Sequence, residues 1–122
     1  MKRILIVEDE VEYSNLLKRH LERYGYHIND VSKGSEVLTR LFQTPADLIL
    51  LDYYLPDVKG DEVCKNIRNE AEFKEIPILI ITAQYYNFDD DFFKKCGATG
   101  VLYKPVSFDH LVQKIQECLA EK

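Results

Sequence analysis

Leu48-Ile49-Leu50-Leu51-Asp52 is the stretch that decides the fold: four consecutive apolar residues, then a carboxylate. A strand with one wet face alternates apolar and polar residues. One that is apolar at every position must be covered on both faces, as in the middle of a parallel sheet. Two further runs have the same form. Ile4-Leu5-Ile6-Val7 leads into Glu8-Asp9-Glu10, and Ile78-Leu79-Ile80-Ile81 leads into Thr82. A weaker fourth run, Gly100-Val101-Leu102-Tyr103, ends in Lys104-Pro105. If the four runs are neighbouring parallel strands, their polar ends meet at one edge of one sheet. Carboxylates, a hydroxyl and an ammonium gathered there suit a divalent metal and a phosphoryl group.

The segments between the runs carry helical spacing. Residues 10–24 place Tyr13, Leu16, Leu17, Leu21 and Tyr24 at helical intervals, and Gly25 stops that helix. A short strand is expected over 27–31. Val37, Leu38, Leu41 and Phe42 mark a second helix ending before Pro45, and Val63 and Ile67 a third, after the turn residues Leu55-Pro56-Asp57-Val58-Lys59-Gly60. Phe88, Phe92 and Cys96 are spaced for a short fourth helix closed by Gly97. Phe108, Leu111, Val112, Ile115, Cys118 and Leu119 form an amphipathic last helix with Ser107 placed to cap it. Strand and helix thus alternate five times. Parallel strands need crossovers, and crossovers are right-handed, so the expectation is an α/β, three-layer, doubly wound, five-stranded parallel sheet. Ligands of such sheets bind beyond the carboxyl ends of the strands.

Composition narrows the function. The 122 residues fit one domain with one core. A formal net charge of -5 gives no general attraction for nucleic acid or anionic membrane. No apolar run approaches the roughly 20 residues that span a bilayer, and the N-terminal apolar run is too short for a signal peptide. Cys64, Cys96 and Cys118 are odd in number and lack CxxC spacing, which points to reduced thiols in a cytoplasmic protein. Cys64 and Cys118 read as small core residues.

Each polar strand end has an ordinary structural reading as well as a chemical one. Asp52 at the mouth of a hydrophobic layer is a cap for the next turn, a metal ligand or a nucleophile. Glu8-Asp9-Glu10 suits the positive end of a helix, a role that fits Glu10 best. Two adjacent acids beside Asp52 would also repel one another, and a hard divalent cation removes that repulsion. Thr82 is a β-branched strand residue or a hydroxyl donor. Lys104 is a solvated lysine or a phosphoryl partner, and a cis bond to Pro105 would turn the chain sharply enough to hold its ammonium over the strand ends.

At this point the chain resembles the receiver domain of two-component response regulators, chemotaxis-regulator-like and flavodoxin-like in fold. The resemblance covers residues 3–120. It rests on Ile4-Leu5-Ile6-Val7-Glu8-Asp9-Glu10, the segment from Leu51-Asp52 to Lys59-Gly60, Ile81-Thr82-Ala83, and Gly97-Ala98-Thr99-Gly100-Val101-Leu102-Tyr103-Lys104-Pro105. It implies a single receiver domain over 1–122, with Asp52 the phospho-acceptor. It implies Mg2+, for which Mn2+ can substitute, held by Asp9, Asp52, the backbone carbonyl of Tyr54 and, through water, Glu8. Thr82 and Lys104 are implied to bind the phosphoryl group, Thr82 and Tyr103 to form the switch, and Pro105 to be cis. The implied donor is a sensor histidine kinase or a histidine phosphotransfer protein. The implied reader is a downstream effector recognising the fourth helix, last strand and last helix, with phosphorylation-dependent dimerisation through the last two helices open. The implied module is regulatory rather than an enzyme, expected to catalyse only its own phosphorylation and dephosphorylation.

The resemblance implies that Tyr54 and Gln84, each two residues beyond a site residue, flank the route of an attacking water, and they are expected to tune the lifetime of the phosphoryl group. Gln84-Tyr85-Tyr86-Asn87-Phe88 is an aromatic stretch suited to loop packing or to a partner surface. His20, His27 and His110 show no ligand spacing. An aspartyl-nucleophile phosphatase would carry a second acid where Tyr54 stands, and a flavin module would carry a Ser/Thr/Gly-rich loop where Glu8-Asp9-Glu10 stands. A degenerate receiver acting only as a binding module would not need the complete Asp9, Asp52, Thr82 and Lys104 set.

Overall fold

A computed structural model describes residues 1–83 and 90–120 of the chain. The elements in order are β1 (Arg3–Val7), α1 (Val11–Glu22), β2 (His27–Val31), a 3-10 turn (Gly34–Glu36) running into α2 (Val37–Gln43), and β3 (Leu48–Asp52). They continue with α3 (Gly60–Arg68), a second 3-10 turn (Ala71–Phe73), β4 (Ile78–Ala83), α4 (Asp90–Lys95), β5 (Gly100–Lys104) and α5 (Phe108–Leu119). The strands form one five-stranded sheet in the order β2-β1-β3-β4-β5, and every neighbouring pair is parallel. This is the doubly wound α/β architecture expected from the apolar runs.

The all-apolar strands serve two cores at once. Leu5, Val7, Ile49, Leu51, Ile78 and Ile80 face one side, packed with Val37 and Leu41 of α2, Val63 and Ile67 of α3 and Phe93 of α4. The alternate residues Ile4, Ile6, Leu48, Leu50, Leu79 and Ile81 face the other side with Leu17 and Leu21 of α1 and Leu111, Val112 and Ile115 of α5. Burying each such side chain contributes about 1.5–3 kcal/mol, so the two cores hold the strand ends in a fixed register.

Helix faces differ from the spacing in places. The buried stripe of α1 is Ser14, Leu17 and Leu21, whereas Leu16 and Tyr24 are largely exposed. Only one face of α1 meets the sheet, and the serine occupies its first slot, donating a hydrogen bond to Asp30 Oδ2 at 3.2 Å. Phe42 of α2 likewise lies outside the core and stacks obliquely on Phe73. Cys64 is fully buried, while Cys118 is only half-buried at the margin of α5. Phe88 lies outside the described residues.

Helix ends follow their chemistry. Gly25 and Gly97 adopt φ of +89° and +106° after α1 and α4, the left-handed conformation that ends a helix. Ser107 caps α5 by accepting the His110 amide at 3.0 Å. Gly60 has a different role from the expected turn. It opens α3, and a Cβ there would lie 2.8 Å from Tyr53 Cα and 3.2 Å from the Asp52 carbonyl oxygen. Its amide donates to the Tyr53 carbonyl at 2.8 Å, so α3 starts hard against the end of β3. Among the described residues, no helix is long and apolar enough to cross a membrane.

Candidate functional site

β1 and β3 are neighbours, yet the chain leaves them in opposite directions. From β1 it turns to α1, which packs on one core, and from β3 to α3, which packs on the other. The two departing loops part above the sheet edge, and this is where doubly wound sheets bind ligands. Glu8 and Asp9 leave β1 here, and Asp52 is the last residue of β3. One carboxylate oxygen from each of Glu8, Asp9 and Asp52 lies within 4.8 Å of the others. Glu8 and Asp52 are buried, at 5% and 6% exposure, and Asp9 is exposed.

Backbone amides aim the two buried acids. The Glu10 amide donates to Glu8 Oε2 at 3.1 Å, and the Tyr54 amide donates to the Asp52 carboxylate. Lys104 comes from the end of β5, just before a cis peptide bond to Pro105. Its Nζ lies 3.8 Å from Glu8 Oε1 and 3.7 Å from Asp52 Oδ1. A formed charge-assisted hydrogen bond is about 2.7–2.9 Å, so the ammonium sits between the two acids and is locked to neither. Thr82 is buried on β4, in register with Tyr103 of β5, and its hydroxyl donates to the Ala83 carbonyl at 3.2 Å. Tyr103 and Tyr54 are half-buried. The Tyr54 ring stands edge-on to Tyr53, with Lys59 Nζ 5.1 Å from its centroid. Gln84 lies outside the described residues, as do positions 85–89.

The charges do not balance. Burial, reinforced by the Asp52 charge, pushes the Glu8 carboxyl up to about 7 against the pull of the Glu10 amide and Lys104. Burial also raises the Asp52 carboxyl, with Lys104 and the Tyr54 amide opposing. For Lys104, burial works against the charge, but Asp52 and Glu8 outweigh it and its pKa stands above the ordinary lysine value. Three acids meet at this edge and two of them share the Lys104 ammonium, so the surplus donors are hard carboxylate oxygens. That donor chemistry fits a hard dication such as Mg2+, which prefers a few carboxylates completed by carbonyls, waters and phosphate oxygens.

Three residues at this edge were given no part in the site by the sequence. Tyr13 was legible only as a helix-face aromatic, yet its ring centroid lies 4.9 Å from Lys104 Nζ. Asp57 accepts the amides of Gly34 and Ser35 at 3.0 Å each, tying the loop after β3 to the 3-10 turn that precedes α2. That bond joins positions more than twenty residues apart and leaves no local signal. Gly60 is the third, and only the close approach to Tyr53 reveals its purpose.

The geometry agrees with what the chain is similar to. It spans about half the length, 48%, of the transcriptional regulatory protein BaeR of Escherichia coli, with 38% identity over 96% of this chain. It spans 98% of the polar-differentiation response regulator DivK of Brucella ovis, with 30% identity over 98% of this chain. Among solved structures, the response regulator TrrA of Thermotoga maritima, in complex with Mg(2+)-BeF, superposes with a TM-score of 0.86 at 35% identity, covering 98% of this chain and all (100%) of that one. The family model described as the response regulator receiver domain matches residues 4–116. With nearly the whole chain inside that match and a relative of the same length beside it, this chain belongs to the response regulator receiver domain family.

Proposed function

We propose that Asp52 accepts a phosphoryl group, in the cytoplasm, from the phosphohistidine of a sensor histidine kinase or a histidine phosphotransfer protein. The observation that carries this reading is the meeting of the Glu8, Asp9 and Asp52 oxygens within 4.8 Å, with Lys104 Nζ 3.7 Å from Asp52. Phosphoryl transfer needs an aligned nucleophile and neutralisation of the equatorial oxygens more than it needs covalent help. Asp52 is aligned by the end of β3 and by the Tyr54 amide. Lys104 gives up its shared position between two carboxylates for a phosphoryl oxygen. Asp9, Asp52, the Tyr54 carbonyl and, through water, Glu8 are the groups that hold Mg2+, or Mn2+ in its place. The bound ion supplies positive charge to the phosphoryl oxygens. The Mg(2+)-BeF bound by TrrA supports the same assignment here.

Thr82 turns its hydroxyl from the Ala83 carbonyl to the phosphoryl group, and Tyr103, its register partner, follows inward. The surface so changed is α4-β5-α5, which a downstream effector or a second phosphorylated copy reads. Tyr54 and Gln84 set the lifetime of the aspartyl phosphate, and the domain catalyses only its own phosphorylation and dephosphorylation. To test this, the protein is incubated with Mg2+ and acetyl phosphate, or with beryllofluoride, beside Asp52→Asn. Modification of the wild type and none of the variant is expected. Equal modification of Asp52→Asn would overturn the assignment.

A further inference from the structure

We propose that Tyr13 is a positioning residue for phosphoryl transfer, its ring face holding the Lys104 ammonium at the site between Glu8 and Asp52. The inference rests on the reading of Lys104 given above and adds a residue to it. Lys104 reaches the site on a four-carbon stem, and such a side chain scatters over many rotamers unless something confines it. Both carboxylates attract it as ion pairs at 3.7 and 3.8 Å, but neither fixes it with a short directed hydrogen bond. The Tyr13 ring supplies the third side of the enclosure. Its centroid is 4.9 Å from Nζ, within the roughly 6 Å over which a ring quadrupole attracts a cation. Tyr13 is half-buried on the first turn of α1, and it lines a cleft of about 610 Å³ with Leu16, Ala83, Lys104, Pro105 and Phe108. The surrounding charges reach it as well: burial raises its hydroxyl pKa, Lys104 lowers it, and Glu8, Asp52 and Glu10 raise it.

The chemistry of a ring suits this duty better than that of a third carboxylate. A carboxylate would hold the ammonium through a directed hydrogen bond and compete with the phosphoryl oxygen for it. A π face attracts the cation without a directed bond, so the lysine stays at the site and remains free to change its oxygen partner. Tyr13→Phe keeps the ring and Tyr13→Leu keeps apolar cover without it, which separates the attraction from simple packing.

Three readouts decide the matter: rate of phosphorylation by acetyl phosphate with Mg2+, the proton shift of the Lys104 ε-methylene by NMR, and the far-UV circular dichroism that checks folding. Tyr13→Phe is expected to match the wild type. Tyr13→Leu is expected to fold, to lose the upfield ring-current shift of the Lys104 ε-methylene, and to be phosphorylated roughly threefold to tenfold more slowly. A Tyr13→Leu protein as fast as wild type, or a Lys104 shift indifferent to the ring, overturns the inference while leaving Asp52 in place. A Tyr13→Phe protein as slow as Tyr13→Leu overturns it too, by assigning the effect to the hydroxyl. A wild type that takes up neither phosphoryl group nor beryllofluoride overturns the function of the site instead, and the Lys104 shift then still decides where Tyr13 stands.

Discussion

Replacing Glu8 with glutamine should make the metal-free protein more stable above pH 7. The carboxyl has its pKa raised from 4.5 to about 7, chiefly by burial and then by the Asp52 charge. Between those two values the folded chain holds a proton on Glu8 that the unfolded chain has released, so folding stability falls as pH rises through the window. Below pH 4.5 the side chain is neutral in both states and has no such effect; above about 7 it is charged in both, and the full cost is present. A rise of that size is worth roughly 3 kcal/mol at about 1.36 kcal/mol per pH unit. Glu8 is only 5% exposed, so solvent screening takes little from this figure. The buried amide of glutamine brings its own cost of about 1 kcal/mol, which leaves a net gain of about 2 kcal/mol. Glutamine keeps an oxygen for the Glu10 amide, so the backbone turn after β1 is preserved. Urea unfolding in EDTA, above pH 7 and again below 4.5, measures the difference. Glu8→Gln should have the higher midpoint at the upper pH, and at the lower, where only the amide cost remains, it should fall about 1 kcal/mol below wild type. Excess Mg2+ should then stabilise wild type more than Glu8→Gln and narrow the gap. Equal midpoints above pH 7, or a gap that widens as pH falls, would refute the charge argument.

Gly60→Ala places a methyl 2.8 Å from Tyr53 Cα, and backbone cannot yield as a side-chain tip does, so a loss of about 1–3 kcal/mol is expected. Because the displaced backbone is that of Asp52 and Tyr53, Mg2+ affinity should fall with it, read by the fluorescence of a chain with 8 tyrosines and no tryptophan. Ser107→Ala removes the acceptor of the His110 amide at the start of α5 and should cost about 1 kcal/mol in urea unfolding. That cap lies outside the acid cluster, so Mg2+ affinity should be unchanged in the variant.

The sheet was legible because two cores leave a mark on sequence. A strand packed on both faces has no polar position to spare, and Leu48 to Leu51 and Ile78 to Ile81 show it. The helix faces were less legible because spacing reports a stripe without saying which edge of it meets the sheet. Tyr13, Leu16 and Leu17 all satisfy helical intervals, yet Ser14 takes the buried slot through one hydrogen bond to Asp30. Strand-end acids could be read because each follows its apolar run directly. Asp57 and Gly60 could not be read in the same way. One acts through amides far away in the chain and the other through the absence of a side chain, and neither fact has a local pattern.

The site is poised because it is unbalanced. Glu8 and Asp52 stand at nearly equal distances from one ammonium, 3.8 and 3.7 Å, and each acid raises the pKa of that lysine. A second lysine at this edge would neutralise the carboxylates and relieve Glu8, and the metal-free fold would gain stability. It would also remove the surplus negative charge that makes this edge suited to a dication. One lysine leaves that surplus in place while keeping a donor beside Asp52. The arrangement therefore costs the fold stability and leaves a surplus of negative charge of the kind a dication neutralises. The cost falls on Glu8 because it is buried beside Asp52 and shares with it the Lys104 ammonium, whereas Asp9 stays exposed. The surplus lies where β1 and β3 part, and the Tyr53 ring packs from the end of β3 onto Phe93 of α4, their centroids 5.6 Å apart.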